Sequence, residues 1–143
     1  VMTMDARRAG YWGTAGAAVT KNPVEEVGWR TVDLTDEGGA DPLFRGLPPV
    51  LPVFQWHGDT FAIPAGGTLL ATGVDCHHQA FRFRRSYGLQ FHLEADRALL
   101  EAWFAGKQAG VEILRRCDKL APAVGRFVRL LFANFLEIAR QPR

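Results

Sequence analysis

A histidine and a carboxylate two residues apart, His92 and Glu94, make a proton-transfer pair wherever the backbone between them is extended. Residues i and i+2 of an extended chain face the same side, so the carboxylate can hold one ring nitrogen of the imidazole. The other nitrogen is then free to take a proton from a nucleophile, and the carboxylate stabilises the imidazolium that results. Tyr87 to His92 carries β-forming aromatics and no charge, so it reads as a short buried strand that delivers His92 at its end. A lone His-x-Glu is weak evidence for such a role, because a strand-end histidine beside an exposed glutamate is common. The residues around it decide.

The remaining composition narrows the classes. At 143 residues, 48% hydrophobic and 22% charged, the chain is sized for one domain with a real core. Net charge is +2, and outside Arg82, Arg84 and Arg85 the basic residues are scattered, so no nucleic-acid face emerges. No apolar run reaches transmembrane length, and the N-terminus lacks the apolar core of a signal peptide. Cys76 and Cys117 have no metal-like spacing and read as free thiols of a cytoplasmic protein.

The elements that must position His92 follow from periodicity. Val1 to Ala9 is unpatterned, and Ala6 to Gly16 reads as the end of a helix followed by a turn. Ala17 to Lys21 is a short strand stopped by Asn22-Pro23, a turn signal. Thr31 to Thr35 alternates as a strand, Asp36 to Asp41 is a glycine-rich loop, and Asp41 to Pro48 a helical turn. Strands are expected over Val50 to Trp56 and Thr68 to Thr72, with His78 to Arg84 paired to Tyr87–His92 across Arg85-Ser86. After Glu94 the period changes. Asp96 caps a helix through Phe104 that stops at Gly106. Val111 to Leu120 is a second helix, and Ala121-Pro122 opens a third with Phe127, Leu130, Leu131, Asn134, Phe135 and Ile138 on one face. Strands first and helices last imply an α/β or α+β layer with terminal helices packed on a sheet.

Gly88-Leu89-Gln90-Phe91-His92-Leu93-Glu94 resembles the last catalytic strand of the class I (triad) glutamine amidotransferases, which often carry proline where Leu93 stands. Further blocks resemble the family in order: Glu25-x-Val27-Gly28-Trp29, Asp41-Pro42-Leu43-Phe44, Trp56-His57-Gly58-Asp59-Thr60-Phe61, Leu69-Leu70-Ala71, Gln79-Ala80-Phe81 and Asn134-Phe135-Leu136. They cover about Ala15 to Arg140 and are most similar to the stand-alone branch near the glutaminase domain of GMP synthase. The resemblance implies the C-terminal part of a flavodoxin-like α/β sheet with terminal helices, residues 1–143 forming a single truncated domain. It implies His92 and Glu94 as catalytic, and His57 and Asp59 on a loop lining the glutamine site. It implies glutamine as substrate, a synthetase or complementing N-terminal partner, and no cofactor or metal.

One part of the triad is missing from the sequence. The family's nucleophile sits in a Gly-x-Cys-x-Gly elbow, and neither that motif nor Gly-x-Ser-x-Gly occurs. The one serine, Ser86, falls in the expected hairpin turn. Cys76 reads as structural, and adjacent His77 and His78 cannot readily converge with it on one ion. The chain alone is therefore expected to be inactive. Two alternatives stand beside this reading. One is a non-catalytic remnant or interaction module whose exposed sheet edge pairs with a second copy or a complementing subunit. The weaker one is a metal hydrolase built from His57, Asp59, His92 and Glu94.

Overall fold

The computed structural model describes residues 17–141 and the backbone of Met2–Asp5. Its centre is a six-stranded sheet: β1 (Met2–Asp5), β2 (Val19–Leu34), β3 (Val50–Phe61), β4 (Thr68–Thr72), β5 (Ala80–Phe83) and β6 (Ser86–Leu89). The spatial order is β1-β6-β5-β4-β2-β3, and every pairing is antiparallel. Among the described residues, three helices complete it: α1 (Asp36–Ala40), α2 (Arg97–Trp103) and α3 (Ala109–Arg140), with a 3₁₀ turn at Pro42–Phe44. No helix among the described residues is long and apolar enough to cross a membrane.

The long β2–β3 ladder is the spine. Asn22-Pro23 does not turn the chain as expected; it lies in an irregularity between Lys21 and Glu26, and the strand continues to Leu34. A bulge absorbs residues that cannot join the ladder without breaking the strand. From Glu26 onward the register is unbroken, pairing Glu26 with His57, Trp29 with Phe54 and Val32 with Leu51. Alternation then sorts the side chains. Val32, Leu51 and Val53 enter one core with Leu70, Leu89 and Phe91, while Trp29 and Phe54 enter another with Leu100, Phe104 and Ile113.

The sheet also curls back on itself. His92 N–H donates to the Phe54 carbonyl at 2.9 Å, forming an isolated bridge between the chain after β6 and β3. The strand expected through His92 ends at Leu89, so this bridge, and not β6 itself, fixes the His92 backbone. The hairpin turn consists of Arg84-Arg85, between the paired Phe83 and Ser86. Arg84 there holds φ 56°, a left-handed conformation that β-hairpin turns demand. Met2–Asp5, read as unpatterned, pairs with β6. The expected helix end at Ala6–Gly16 lies outside the described residues.

Asp36–Ala40 is a helical turn and not a loop, because Thr35 caps it by accepting from Gly38 N–H at 2.9 Å. Gly38 passes so close to β4 that an added Cβ would sit 1.9 Å from the Leu70 carbonyl oxygen, so no larger residue fits. Asp96 caps α2 as the sequence implied, accepting from Leu99 N–H at 2.8 Å. The two C-terminal helices expected on either side of Pro122 are one. In α3, Ile113 and Cys117 pack into the Trp29–Phe54 core, and Phe127 and Leu131 into the other. Contacts at both ends carry the helix unbroken through the proline, which is exposed. Asn134, on the buried face, donates to the carbonyls of Leu43 (3.0 Å) and Arg45 (2.9 Å) and ties α3 to the 3₁₀ turn.

Pro122 lacks the N–H that an interior helical residue gives to the carbonyl four residues earlier, here Asp118. Replacing proline with alanine in a helix interior gains about 3 kcal/mol, less about 0.4–1 kcal/mol for the freer unfolded chain. Pro122→Ala is therefore expected to stabilise the fold by about 2 kcal/mol, read from urea unfolding. An unchanged or lowered midpoint would show that the helix needs its proline.

Candidate active site

His92 leaves the curled sheet at the Phe54 bridge and points its ring to the face covered by α2. Its Nδ1 lies 2.7 Å from Glu94 Oε1, and its ring meets Trp103 edge-on at 5.3 Å between centroids. Trp103 in turn packs on Trp56 and Phe54. The imidazole is thus oriented by a carboxylate on one side and an aromatic wall on another. With Nδ1–H donating to Glu94, the lone pair falls on Nε2, for which no partner is found among the described residues. The His92 side chain is 24% exposed and that of Glu94 45%, so a reacting group can reach the pair from solvent.

His57 and Asp59 lie on β3 and not on a loop. Their backbone and side chains, with Val19, Trp56, Thr60, Phe61 and Gln90, line an open depression of about 400 Å³. The two side chains part company there. Asp59 is exposed and pairs with Lys21 Nζ at 2.8 Å. His57 turns inward, its Nε2 2.9 Å from Oε2 of Glu26, a carboxylate only 2% exposed. Glu26 is the residue that sequence reading missed. The β2–β3 register sets it directly opposite His57, and no spacing within one strand carries that information.

Around this pair runs a buried polar network. Gln79 Nε2 donates to Glu26 Oε2 at 3.0 Å and to the Cys76 carbonyl at 3.1 Å, and Gln55 Nε2 donates to Gln79 Oε1 at 2.7 Å. Gln90 Nε2 lies 2.7 Å from His57 Nδ1, which assigns the ring proton to Nε2 and hence to the Glu26 bond. Cys76 joins the group, its Sγ–H donating to Thr60 Oγ1 at 3.3 Å. Burial pushes the thiols of Cys76 and Cys117 up from their ordinary range, so both are held protonated. Neither follows a strand and opens a helix: Cys76 lies between β4 and β5, and Cys117 lies within α3.

The four side chains named for a metal hydrolase do not converge. Among the described residues, the cluster of three or more ligand-type side chains comprises Glu26, His57 and Cys76.

A curled antiparallel sheet with helices packed on it matches the fold of class I glutamine amidotransferase structures. The chain's homologues and its structural neighbours are glutamine amidotransferases. No family profile matches it. It is similar to the glutamine amidotransferase-like protein YfeJ of Salmonella typhimurium, 31% identical over 116 residues, covering 80% of this chain and 45% of that protein. It is also similar to a glutamine-hydrolysing GMP synthase of Syntrophomonas wolfei, 37% identical over 82 residues, 55% of this chain and 16% of that protein. Among solved structures, a glutamine amidotransferase from Thermotoga maritima superposes with a TM-score of 0.77 at 26% identity, over 89% of this chain and 56% of that one. The chain thus spans less than half the length of the curated relatives it matches.

Proposed function

We propose that this chain supplies the acid–base half of glutamine amide hydrolysis in a class I glutamine amidotransferase. The observation that carries the reading is the 2.7 Å His92–Glu94 contact, which leaves Nε2 accessible. In the reaction a cysteine thiol gives its proton to His92 Nε2, and the thiolate attacks the side-chain carboxamide of glutamine. His92 then protonates the departing ammonia, and Glu94 holds the ring throughout. Water completes the cycle by hydrolysing the thioester, and ammonia passes to an acceptor.

The cysteine comes from a segment or subunit beyond these 143 residues, since the sequence contains no Gly-x-Cys-x-Gly elbow and both of its thiols are buried. We assign glutamine to the surface that includes the depression beside His57 and Asp59, with Asp59 exposed on its rim. A GMP-synthase-type relative makes a synthetase the ammonia-accepting partner we favour, in the cytoplasm. The reaction as written calls on no cofactor.

A second reading has its own observation. Val111, Phe132 and Leu136 on α3 are exposed apolar side chains, which favours a complementing or interaction subunit, including pairing with a second copy. Glutamate release separates the two. The chain alone is expected to be silent, and turnover should appear on adding a separately expressed segment that carries the cysteine elbow. A well-folded mixture without turnover would favour the non-catalytic reading.

A further inference from the structure

The polar group beneath β2 and β3 has a donor set that the amidotransferase chemistry does not use. Glu26, His57 and Cys76 bring a carboxylate oxygen, an imidazole nitrogen and a thiol sulfur within 4.8 Å of one another. They come from three separate places: β2, β3 and the chain between β4 and β5. We infer that Glu26, His57 and Cys76 form a binding site for a zinc-class divalent cation.

The chemistry of the donors fits. Mixed sulfur, nitrogen and oxygen ligands suit Zn²⁺ and Co²⁺, with bonds of about 2.3 Å to sulfur and 2.0–2.2 Å to nitrogen and oxygen. A tetrahedral ion with those bonds spaces its donors about 3.3–3.6 Å apart. The Nε2–Oε2 contact of 2.9 Å has to open by a few tenths of an ångström, and the sulfur has to close in. Binding releases two protons' worth of hydrogen bonding from the site but one proton to solvent, that of the Cys76 thiol. The His57 ring proton moves from Nε2 to Nδ1, where the Asp59 carbonyl already stands 3.0 Å away.

A backbone carbonyl on the far ring nitrogen is the usual companion of a metal-bound histidine, because it fixes tautomer and ring orientation. Gln90 Nε2 also donates to the Asp59 carbonyl, whose two lone pairs can serve both donors. Its 2.7 Å contact with Nδ1 must then lengthen, so cation binding should shift Gln90. Gln79 supports the carboxylate by donating to Glu26 Oε2, as ligating carboxylates require. Of the three donors, His57 also lines the depression, with Thr60 beside it, and this is the side from which an ion can approach.

Cobalt reports the sulfur directly, whether or not the chain hydrolyses glutamine. Metal-free chain titrated with Co²⁺ should bind one equivalent and develop a near-ultraviolet sulfur-to-cobalt charge-transfer band, which Zn²⁺ then abolishes. Cys117→Ser should keep the band. Cys76→Ser should lose it, and Glu26→Gln should weaken binding by more than the roughly 10–100-fold that even outer-sphere partners command. Circular dichroism establishes that each variant is folded. A folded wild-type chain that takes up no cobalt at micromolar free ion overturns the site. So does a band that survives Cys76→Ser.

Discussion

His92→Ala in the complemented enzyme is expected to lower glutamine turnover by about 10⁶-fold, the scale seen when one member of a hydrolytic triad is removed. The effect is that large because nucleophile, base and orienting carboxylate act as a unit. Without the imidazole, the thiol proton has no acceptor and ammonia leaves without a donor. Glu94→Gln should cost less, about 10⁴-fold, and for a separate reason. A glutamine at 94 can donate its amide N–H to Nδ1, which moves the ring proton onto Nε2 and points it at the thiol it ought to accept from. The geometry that exposes this failure is the 2.7 Å Nδ1–Oε1 contact. Both effects belong in kcat, measured as ammonia or glutamate release with the elbow-bearing segment present. Wild-type turnover in either variant would remove that residue from the mechanism.

Phe54→Ala is expected to cost about 3–5 kcal/mol of stability, the range for emptying a large aromatic from a packed core. Phe54 is fully buried, and its ring stands edge-on to Trp29 at 5.4 Å and to Phe104 at 6.1 Å. It also contacts Trp103 at 6.2 Å. Aromatic pairs in such geometry contribute beyond the area they bury, and one substitution removes three of them. For a chain of this size the loss corresponds to a fall in Tm of roughly 10–20 °C. The site should feel the change as well. Phe54 accepts the His92 N–H through its backbone, and its ring supports Trp103, the wall against the imidazole. Phe54→Leu retains more of the volume and should cost less than the alanine variant, though it loses the same aromatic pairs. A loss below about 1 kcal/mol for the alanine variant would mean that Phe54 does not anchor the cluster of Trp29, Trp103 and Phe104.

Local chemistry was sufficient for a good part of this protein. The i, i+2 spacing of His92 and Glu94 put the two side chains together, and the Asp96 cap, the β4 strand and the β5–β6 hairpin were all readable from neighbouring residues. Each of these is decided within a few residues, by alternation, by a capping oxygen or by turn geometry. The sequence alone also told that no cysteine elbow is present. Three things needed the tertiary structure. Pro122 argues locally for a helix start, yet α3 runs through it because two cores grip the helix on either side. Asn22-Pro23 argues for a turn, yet the ladder to β3 outweighs it and leaves a bulge. The partnership of Glu26 with His57, 31 residues apart, exists only in the register downstream of that bulge. A one-residue slip there would send the carboxylate to the opposite face, and no local pattern in either strand records which register wins.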